Sequence, residues 1–115
     1  MMSLKSTFKW VCVLLLTTAS FLASAEPTWI DVRSKAEHKI DNIEGDLLIS
    51  HTEIVDGVSK LFPNKDQEIR LYCRSGYRAS VALKKLEDAG YTNVSNAGGI
   101  NDARKERKLI EVVAK

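Results

Sequence analysis

The segment EIRLYC at residues 68–73 runs through RSG at 74–76 into YRASVALKKLEDA at 77–89. Its first part is rich in apolar and aromatic residues, as strands are. In its last part, apolar side chains recur every three or four positions, which is the spacing of one face of an amphipathic helix. Gly90 follows at the place where a left-handed residue commonly ends a helix. The segment therefore predicts a strand that passes through a short loop into a helix.

Strand-like and helical patterns alternate along the rest of the chain as well. Such alternation predicts an α/β fold, with a parallel sheet that is covered by helices on both faces. Ligands of such sheets bind beyond the carboxyl ends of the strands, and Cys73 is expected at such an end. The other predicted features are a strand at 28–32, a capping box at 34–37, a strand at 46–50, a second capping box at 50–53 that starts a helix ending at Pro63-Asn64, a strand at 93–96, a turn at Gly98-Gly99, and a helix from Asn101 to about Val113.

The first 25 residues have the pattern of a secretory signal peptide. Lys5 and Lys9 precede an apolar stretch at 10–22, and Ala23-Ser24-Ala25 forms an A-x-A cleavage site. The alternative is an uncleaved membrane anchor, but the apolar core is short for a span, which needs roughly 20 residues. We therefore expect a signal peptide at 1–25, a single domain at 26–115, and a periplasmic protein without membrane contact after cleavage.

Cleavage would change both the charge and the cysteine content. The 17 basic residues of the chain would lose Lys5 and Lys9, which leaves them equal in number to the 15 acidic residues. A net charge of zero does not favour nucleic acid or an anionic membrane surface as a partner. The loss of Cys12 would leave Cys73 alone, which excludes an internal disulfide framework. His38 and His51 have no further ligands at metal-binding spacing, so no metal and no cofactor are predicted.

The chemical centre of the sequence is Cys73-Arg74-Ser75-Gly76-Tyr77-Arg78. A loop that enters a helix points successive backbone N–H groups toward a common point, and these groups together with the helix dipole favour negative charge there. We therefore expect Cys73 to favour the thiolate, which is the nucleophilic form. Gly76 permits a backbone angle that a side chain would oppose, while Arg74 and Arg78 add positive charge for an anionic substrate. The bland alternative is a cysteine that ends a buried strand beside an ordinary surface arginine.

Several segments resemble the rhodanese family. The resemblance lies in Trp29-Ile-Asp-Val-Arg33 with Glu37, in Ile43-Glu-Gly45 followed by Leu47-Leu-Ile49, in the strand and loop at 69–79, in Gly90-Tyr-Thr-Asn-Val94, and in Asn96-Ala-Gly-Gly99. It covers most of residues 28 to 103. The chain departs from the family pattern at Asn42, Asp46 and Ser50, and at Ile100-Asn-Asp102 after the double glycine.

This resemblance implies a small rhodanese-like domain with thiosulfate:cyanide sulfurtransferase activity. The thiolate of Cys73 would take sulfane sulfur from thiosulfate, become a persulfide, and pass the sulfur to cyanide or a thiol. The backbone amides of residues 74–78 would cradle this sulfur, and Arg74 and Arg78 would hold the sulfonate group. Asp31, Arg33 and Glu37 would support the site, with Arg33 and Glu37 as a structural ion pair. We expect a monomer.

Two other functions remain open on the sequence. One is a persulfide carrier or partner-binding module that does not turn over. The other is a cysteine phosphatase or arsenate reductase, which also uses a cysteine-arginine anion loop. Phosphatases with such a loop have a C-x5-R pattern, in which five residues separate the cysteine from the arginine. Only four residues separate Cys73 from Arg78. A tighter ring of amides suits a single sulfur atom better than a phosphoryl group, and the loop offers no evident general acid.

Overall fold

A computed structural model describes residues 26–109 of the chain. Four strands form one sheet in the order β2-β1-β3-β4, and every neighbouring pair is parallel. The elements are, in chain order, β1 at Thr28–Asp31, α1 at Lys35–Ile40, β2 at Leu47–Leu48, α2 at Ile54–Leu61, β3 at Ile69–Cys73, α3 at Tyr77–Asp88, β4 at Val94–Gly99 and α4 at Ile100–Glu106.

The predicted helices on both faces of a parallel sheet are confirmed. On one face, Ile30 and Leu71 of the central strands pack in one cluster with Val58 of α2 and with Ala82 and Leu86 of α3. On the other face, Tyr72 packs with Ile43, Ile100 and Ala103, so that α4 covers this side. Successive residues of β3 thus point to opposite faces, as the pleat requires. The carboxyl end of β3 is therefore enclosed from both sides, and this end carries Cys73.

Two predicted helix boundaries are confirmed. At α1, the Ser34 side chain accepts a hydrogen bond from the Glu37 amide, while the Glu37 carboxylate accepts one from the Ser34 amide. This reciprocal arrangement is a capping box. At the C-terminal end of α3, Gly90 has a φ of 100°, which is the left-handed conformation expected after a helix.

The second capping box, predicted at 50–53, is not formed. The Ser50 hydroxyl lies 3.0 Å from the Thr52 hydroxyl instead, and α2 begins after Glu53 without a side-chain cap. Ser50 is too far upstream to cap α2, because a three-residue turn separates it from Ile54, where the helix starts. The strand predicted at 46–50 is also shorter, because only Leu47 and Leu48 pair with β1.

The chain also differs from prediction around the double glycine. Gly98 and Gly99 do not turn the chain but belong to β4, which pairs with β3 as far as Cys73. The last helix begins at Ile100, because the Asp102 carboxylate accepts a hydrogen bond from the Gly99 amide and caps the helix there. It ends at Glu106, and Lys108 adopts a left-handed φ of 59°.

The predicted signal peptide and the last six residues lie outside the described part of the chain. None of the helices between residues 26 and 109 has the length and hydrophobicity of a membrane span.

Candidate active site

The Cys73 side chain lies at the carboxyl end of β3 and is 1% exposed. Its Sγ accepts a hydrogen bond from the Gly76 amide at 3.0 Å and a longer one from the Ala79 amide at 3.4 Å. Two backbone N–H groups, from the loop and from the first turn of α3, therefore converge on the sulfur. Gly76 lies within the predicted range 74–78, whereas Ala79 lies one residue beyond it. Such donors stabilise a sulfur atom that carries negative charge.

The loop owes its shape to glycines on two different segments. Gly76 has a φ of 103°, a conformation that other residues rarely adopt. A Cβ atom on Gly76 would lie 3.4 Å from the Gly98 Cα, and one on Gly99 would lie only 2.4 Å from the Arg74 carbonyl oxygen. The end of β4 thus packs directly against the loop. Gly99 is needed because backbone, which cannot move aside as a flexible side chain can, fills the space next to it.

Arg78 is held by Glu37 of α1. Its Nη1 and Nη2 atoms donate to the two carboxylate oxygens of Glu37 at 2.7 and 2.8 Å, and both side chains are about one quarter exposed. The hydrogen bond from Arg78 lowers the pKa of Glu37 far below its ordinary value, and the same bond raises the pKa of Arg78. The predicted ion pair between Arg33 and Glu37 is therefore wrong, because Glu37 pairs across to the loop.

Arg33 is instead directed back to the end of β1. Its backbone amide and its Nε and Nη2 atoms donate to the buried carboxylate of Asp31, and His38 Nδ1 lies 3.0 Å from the same group. Burial disfavours the charged carboxylate, yet the hydrogen bonds from Arg33 and His38 outweigh it, so the pKa of Asp31 lies below its ordinary value. Asp31 and Arg33 thus form a buried support beneath α1. No group of three potential metal ligands occurs among residues 26–109.

The remaining loop side chains face solvent. Arg74, Ser75 and Tyr77 are exposed, and Tyr77 is one of the most exposed large apolar residues between 26 and 109. A cavity of about 450 Å³ opens beside Arg74. It is lined by Arg33, Glu37, Ile40, Asp41, Arg74, Ile100 and Asn101.

Most charges on the wall of this cavity are neutralised by neighbours. Arg33 is paired with Asp31, Glu37 with Arg78, and Asp41 with Arg104. The Arg74 guanidinium makes no ion pair with the described side chains, so it gives the cavity wall its excess of positive charge. The wall therefore favours an anion at the residue that follows Cys73.

Asn96 is a site residue that the sequence reasoning did not assign. Its side chain donates to the Gly76 carbonyl at 3.0 Å and accepts from the Gly98 amide at 2.7 Å. The one feature of the sequence that could have indicated Asn96 is its position just before the double glycine. The sequence pattern does not predict that this stretch of β4 contacts the loop.

Comparison with known proteins gives a consistent result. A family model described as rhodanese-like domain matches residues 18–106. The chain is 32% identical over 74 residues to the thiosulfate sulfurtransferase PspE of Escherichia coli (strain K12), an alignment that covers 64% of this chain and 71% of that protein. Among solved structures, a rhodanese with anions from E. coli is similar, with a TM-score of 0.63 and 31% identity over 67% of this chain and 91% of that one. The human single-domain sulfurtransferase TSTD1 is similar with a TM-score of 0.60 and 27% identity, over 79% and 92% of the two chains.

Proposed function

The chain belongs to the rhodanese-like domain family of sulfurtransferases, and we propose that it moves sulfane sulfur from thiosulfate, through a persulfide on Cys73, to cyanide or a thiol. The observation that carries this proposal is the pair of amides, from Gly76 and Ala79, that converge on the Cys73 sulfur. The name of the relative PspE supports thiosulfate as the donor.

In the first step, the Cys73 thiolate attacks the outer sulfur of thiosulfate. A new S–S bond forms to Cys73, the bond between the two sulfur atoms of thiosulfate breaks, and its electron pair leaves with sulfite. The cysteine becomes a persulfide that carries the negative charge on its terminal sulfur. No external oxidant is needed, and no proton has to be given to the leaving group, because sulfite is a stable anion.

In the second step, cyanide or a thiolate attacks the terminal sulfur of the persulfide. The S–S bond to Cys73 breaks, its electrons return to the cysteine, and the product is thiocyanate or a new persulfide. The amides of Gly76 and Ala79 serve both steps in this proposal, because each step moves negative charge between the cysteine and the sulfur bound to it.

The two arginines have different roles in this proposal. Arg74 makes the first contact with the sulfonate end of thiosulfate, because its charge is not shared with a described carboxylate. Arg78 is a second positive charge near the sulfur, but its two terminal nitrogens are engaged by Glu37. Its larger task is to hold α1 against the loop. Ser75, Gly76 and Tyr77 contribute backbone, and Tyr77 adds an exposed ring at the rim.

The alternatives make different predictions for turnover. A phosphatase or arsenate reductase would need room for a tetrahedral oxyanion and, for phosphate esters, a general acid. The four-residue spacing between Cys73 and Arg78 disfavours that reading. A persulfide carrier would load one sulfur on Cys73 and release it only to a specific partner, without repeated turnover.

One preparation assayed for two reactions separates these functions. We expect steady formation of thiocyanate from thiosulfate and cyanide, negligible hydrolysis of an aryl phosphate, and no activity in the Cys73→Ser variant, because a serine hydroxyl cannot form a persulfide. Cysteine-dependent phosphate release that is faster than thiocyanate formation would overturn the proposal. A single loaded sulfur without turnover would identify a carrier.

A further inference from the structure

We propose that Asn96 is a positioning residue for the reaction of Cys73, because it fixes the Gly76–Tyr77 peptide, which lies between the two amides that donate to the sulfur. This inference rests on the proposed function, because it concerns the transfer of sulfur to Cys73. Asn96 lies on β4, is separated from Cys73 by more than twenty residues of chain, and belongs to neither the loop nor its charged neighbours.

The path of β4 places Asn96 next to the loop. Leu71 of β3 lies opposite Asn96, but the next residue, Tyr72, lies opposite Gly98, so that Ala97 is an extra residue on β4. A bulge of this kind redirects a strand locally and changes the direction of its side chains. Gly98 adopts a φ of 97° at this point. The irregularity brings the part-buried Asn96 side chain to the loop that follows β3.

The side-chain amide of Asn96 fits both of its partners. An asparagine side chain can donate through nitrogen and accept through oxygen. The Gly98 amide can only donate and the Gly76 carbonyl can only accept, so the two contacts require one orientation of the side chain. The distances of 2.7 Å to Gly98 and 3.0 Å to Gly76 are those of ordinary hydrogen bonds. Asn96 therefore joins the bulge of β4 to the loop.

The contact with Gly76 also restrains the loop around the sulfur. The Gly76 carbonyl also accepts from the Ser80 amide, which closes the first turn of α3. This carbonyl and the Tyr77 N–H belong to one planar peptide and point in opposite directions. Fixing the carbonyl thus fixes the Tyr77 amide at the start of the helix, and it restrains Gly76, whose own amide donates to Cys73 Sγ at 3.0 Å. A shift of this peptide would move the donors that hold the sulfur.

The test uses two variants and a matched control. In Asn96→Ser, the hydroxyl can still accept from the amide two residues ahead, as the Ser50 hydroxyl does from the Thr52 amide, but it is too short to reach Gly76. In Asn96→Asp, the contact with Gly98 is kept and the donor to Gly76 is lost. Asn93→Ser is the control, because Asn93 is an exposed residue that precedes β4 and whose side chain donates, within residues 26–109, only to the Asp66 carbonyl.

Three quantities are measured on each protein. The first is the rate at which saturating thiosulfate adds sulfur to Cys73, followed by mass spectrometry after rapid quenching. The second is the pH midpoint for alkylation of Cys73 by iodoacetamide, assigned by peptide mapping. The third is the free energy of unfolding in urea. We expect both Asn96 variants to load sulfur roughly 10- to 100-fold more slowly, the range expected when reacting groups are displaced slightly. Their alkylation midpoint should move to higher pH, while Asn93→Ser should match the wild type.

The proposal is overturned if Asn96→Ser behaves like Asn93→Ser. This means that its loading rate lies within twofold of the control and that its alkylation midpoint is the same within error. A slower loading rate with an unchanged alkylation midpoint and a lower unfolding free energy would also overturn the proposal, because Asn96 would then be merely structural. Failure of Asn96→Ser to fold would overturn it for the same reason. If the wild type loads no sulfur, the proposed function fails instead, and the alkylation profiles still decide whether Asn96 positions the cradle.

Discussion

At the scale of single residues, Arg74 and Arg78 differ in how their charge is used. Arg78 is bound by Glu37 through two hydrogen bonds, whereas Arg74 is exposed at the edge of a cavity. We expect Arg74→Ala to raise the thiosulfate concentration for half-maximal rate by about tenfold, since a charge-assisted hydrogen bond is worth about 1.5 kcal/mol.

Arg78→Ala serves as the comparison for Arg74→Ala. A part-exposed ion pair contributes about 1 kcal/mol at most. We therefore expect Arg78→Ala to lower the unfolding free energy by about that amount, and to affect thiosulfate binding less than Arg74→Ala does. Steady-state kinetics and urea unfolding check both variants. A larger effect of Arg78→Ala on half-saturation would reverse the two roles.

The Glu37 carboxylate also predicts a pH dependence of stability. Its pKa in the folded chain lies well below the ordinary value of 4.5, chiefly because Arg78 donates to it. A carboxylate of this kind stabilises the folded state fully above its unfolded pKa and loses that contribution as the pH falls toward the folded value. The unfolding free energy of the wild type should therefore decline below about pH 4.5, and Glu37→Gln should decline less steeply there. Urea titrations at several pH values measure this, and parallel curves for the two proteins would contradict it.

At the scale of elements, Asp46 connects three parts of the fold. Its buried carboxylate accepts from the Tyr72 hydroxyl of β3 at 2.7 Å and from Arg107, just after α4, at 2.7 and 3.1 Å. Burial, followed by the bond to Asp46, raises the pKa of Tyr72. Asp46 departs from the family pattern, and the structure gives this departure a role in fastening β2 and α4 to the centre of the sheet.

We expect Asp46→Ala to lower the unfolding free energy by about 1–3 kcal/mol, because it leaves a buried hydroxyl without its partner. Lys84→Ala is the control, since it removes an ion pair with Asp88 on the exposed surface of α3, where such pairs contribute little. Urea unfolding of both variants is the measurement. Equal and small losses would show that the Asp46 cluster does not fasten the sheet.

The elements also show how far the sequence alone can be read. The β3–loop–α3 unit was predictable because its pattern is local, and so was the capping box of α1, whose two partners lie three residues apart. The pairing of Glu37 with Arg78 was not, because forty-one positions separate these residues and only the packing of α1 on the loop decides the partner. The bulge at Ala97 was missed for a similar reason, since it arises from register with β3 and not from any turn residue.

At the scale of the whole molecule, we propose that residues 26–115 form the domain of an exported protein and that residues 1–25 are removed. The family match begins at residue 18, within the predicted signal peptide, so the boundary needs a direct measurement. N-terminal sequencing of the protein from a bacterial periplasmic fraction should give Glu26 as the first residue. Recovery of the full-length chain in the membrane fraction would contradict the prediction.

The proposed function of the whole molecule depends on Cys73 as the carrier of sulfur. The measurement that tests it most directly is an intact mass spectrum of the purified protein after thiosulfate treatment, followed by mapping of the modified peptide. We predict that one sulfur atom is added on Cys73, that cyanide removes it with formation of thiocyanate, and that Cys73→Ser gains none. An unchanged mass of the wild type, or an equal gain by Cys73→Ser, would contradict sulfur transfer through Cys73.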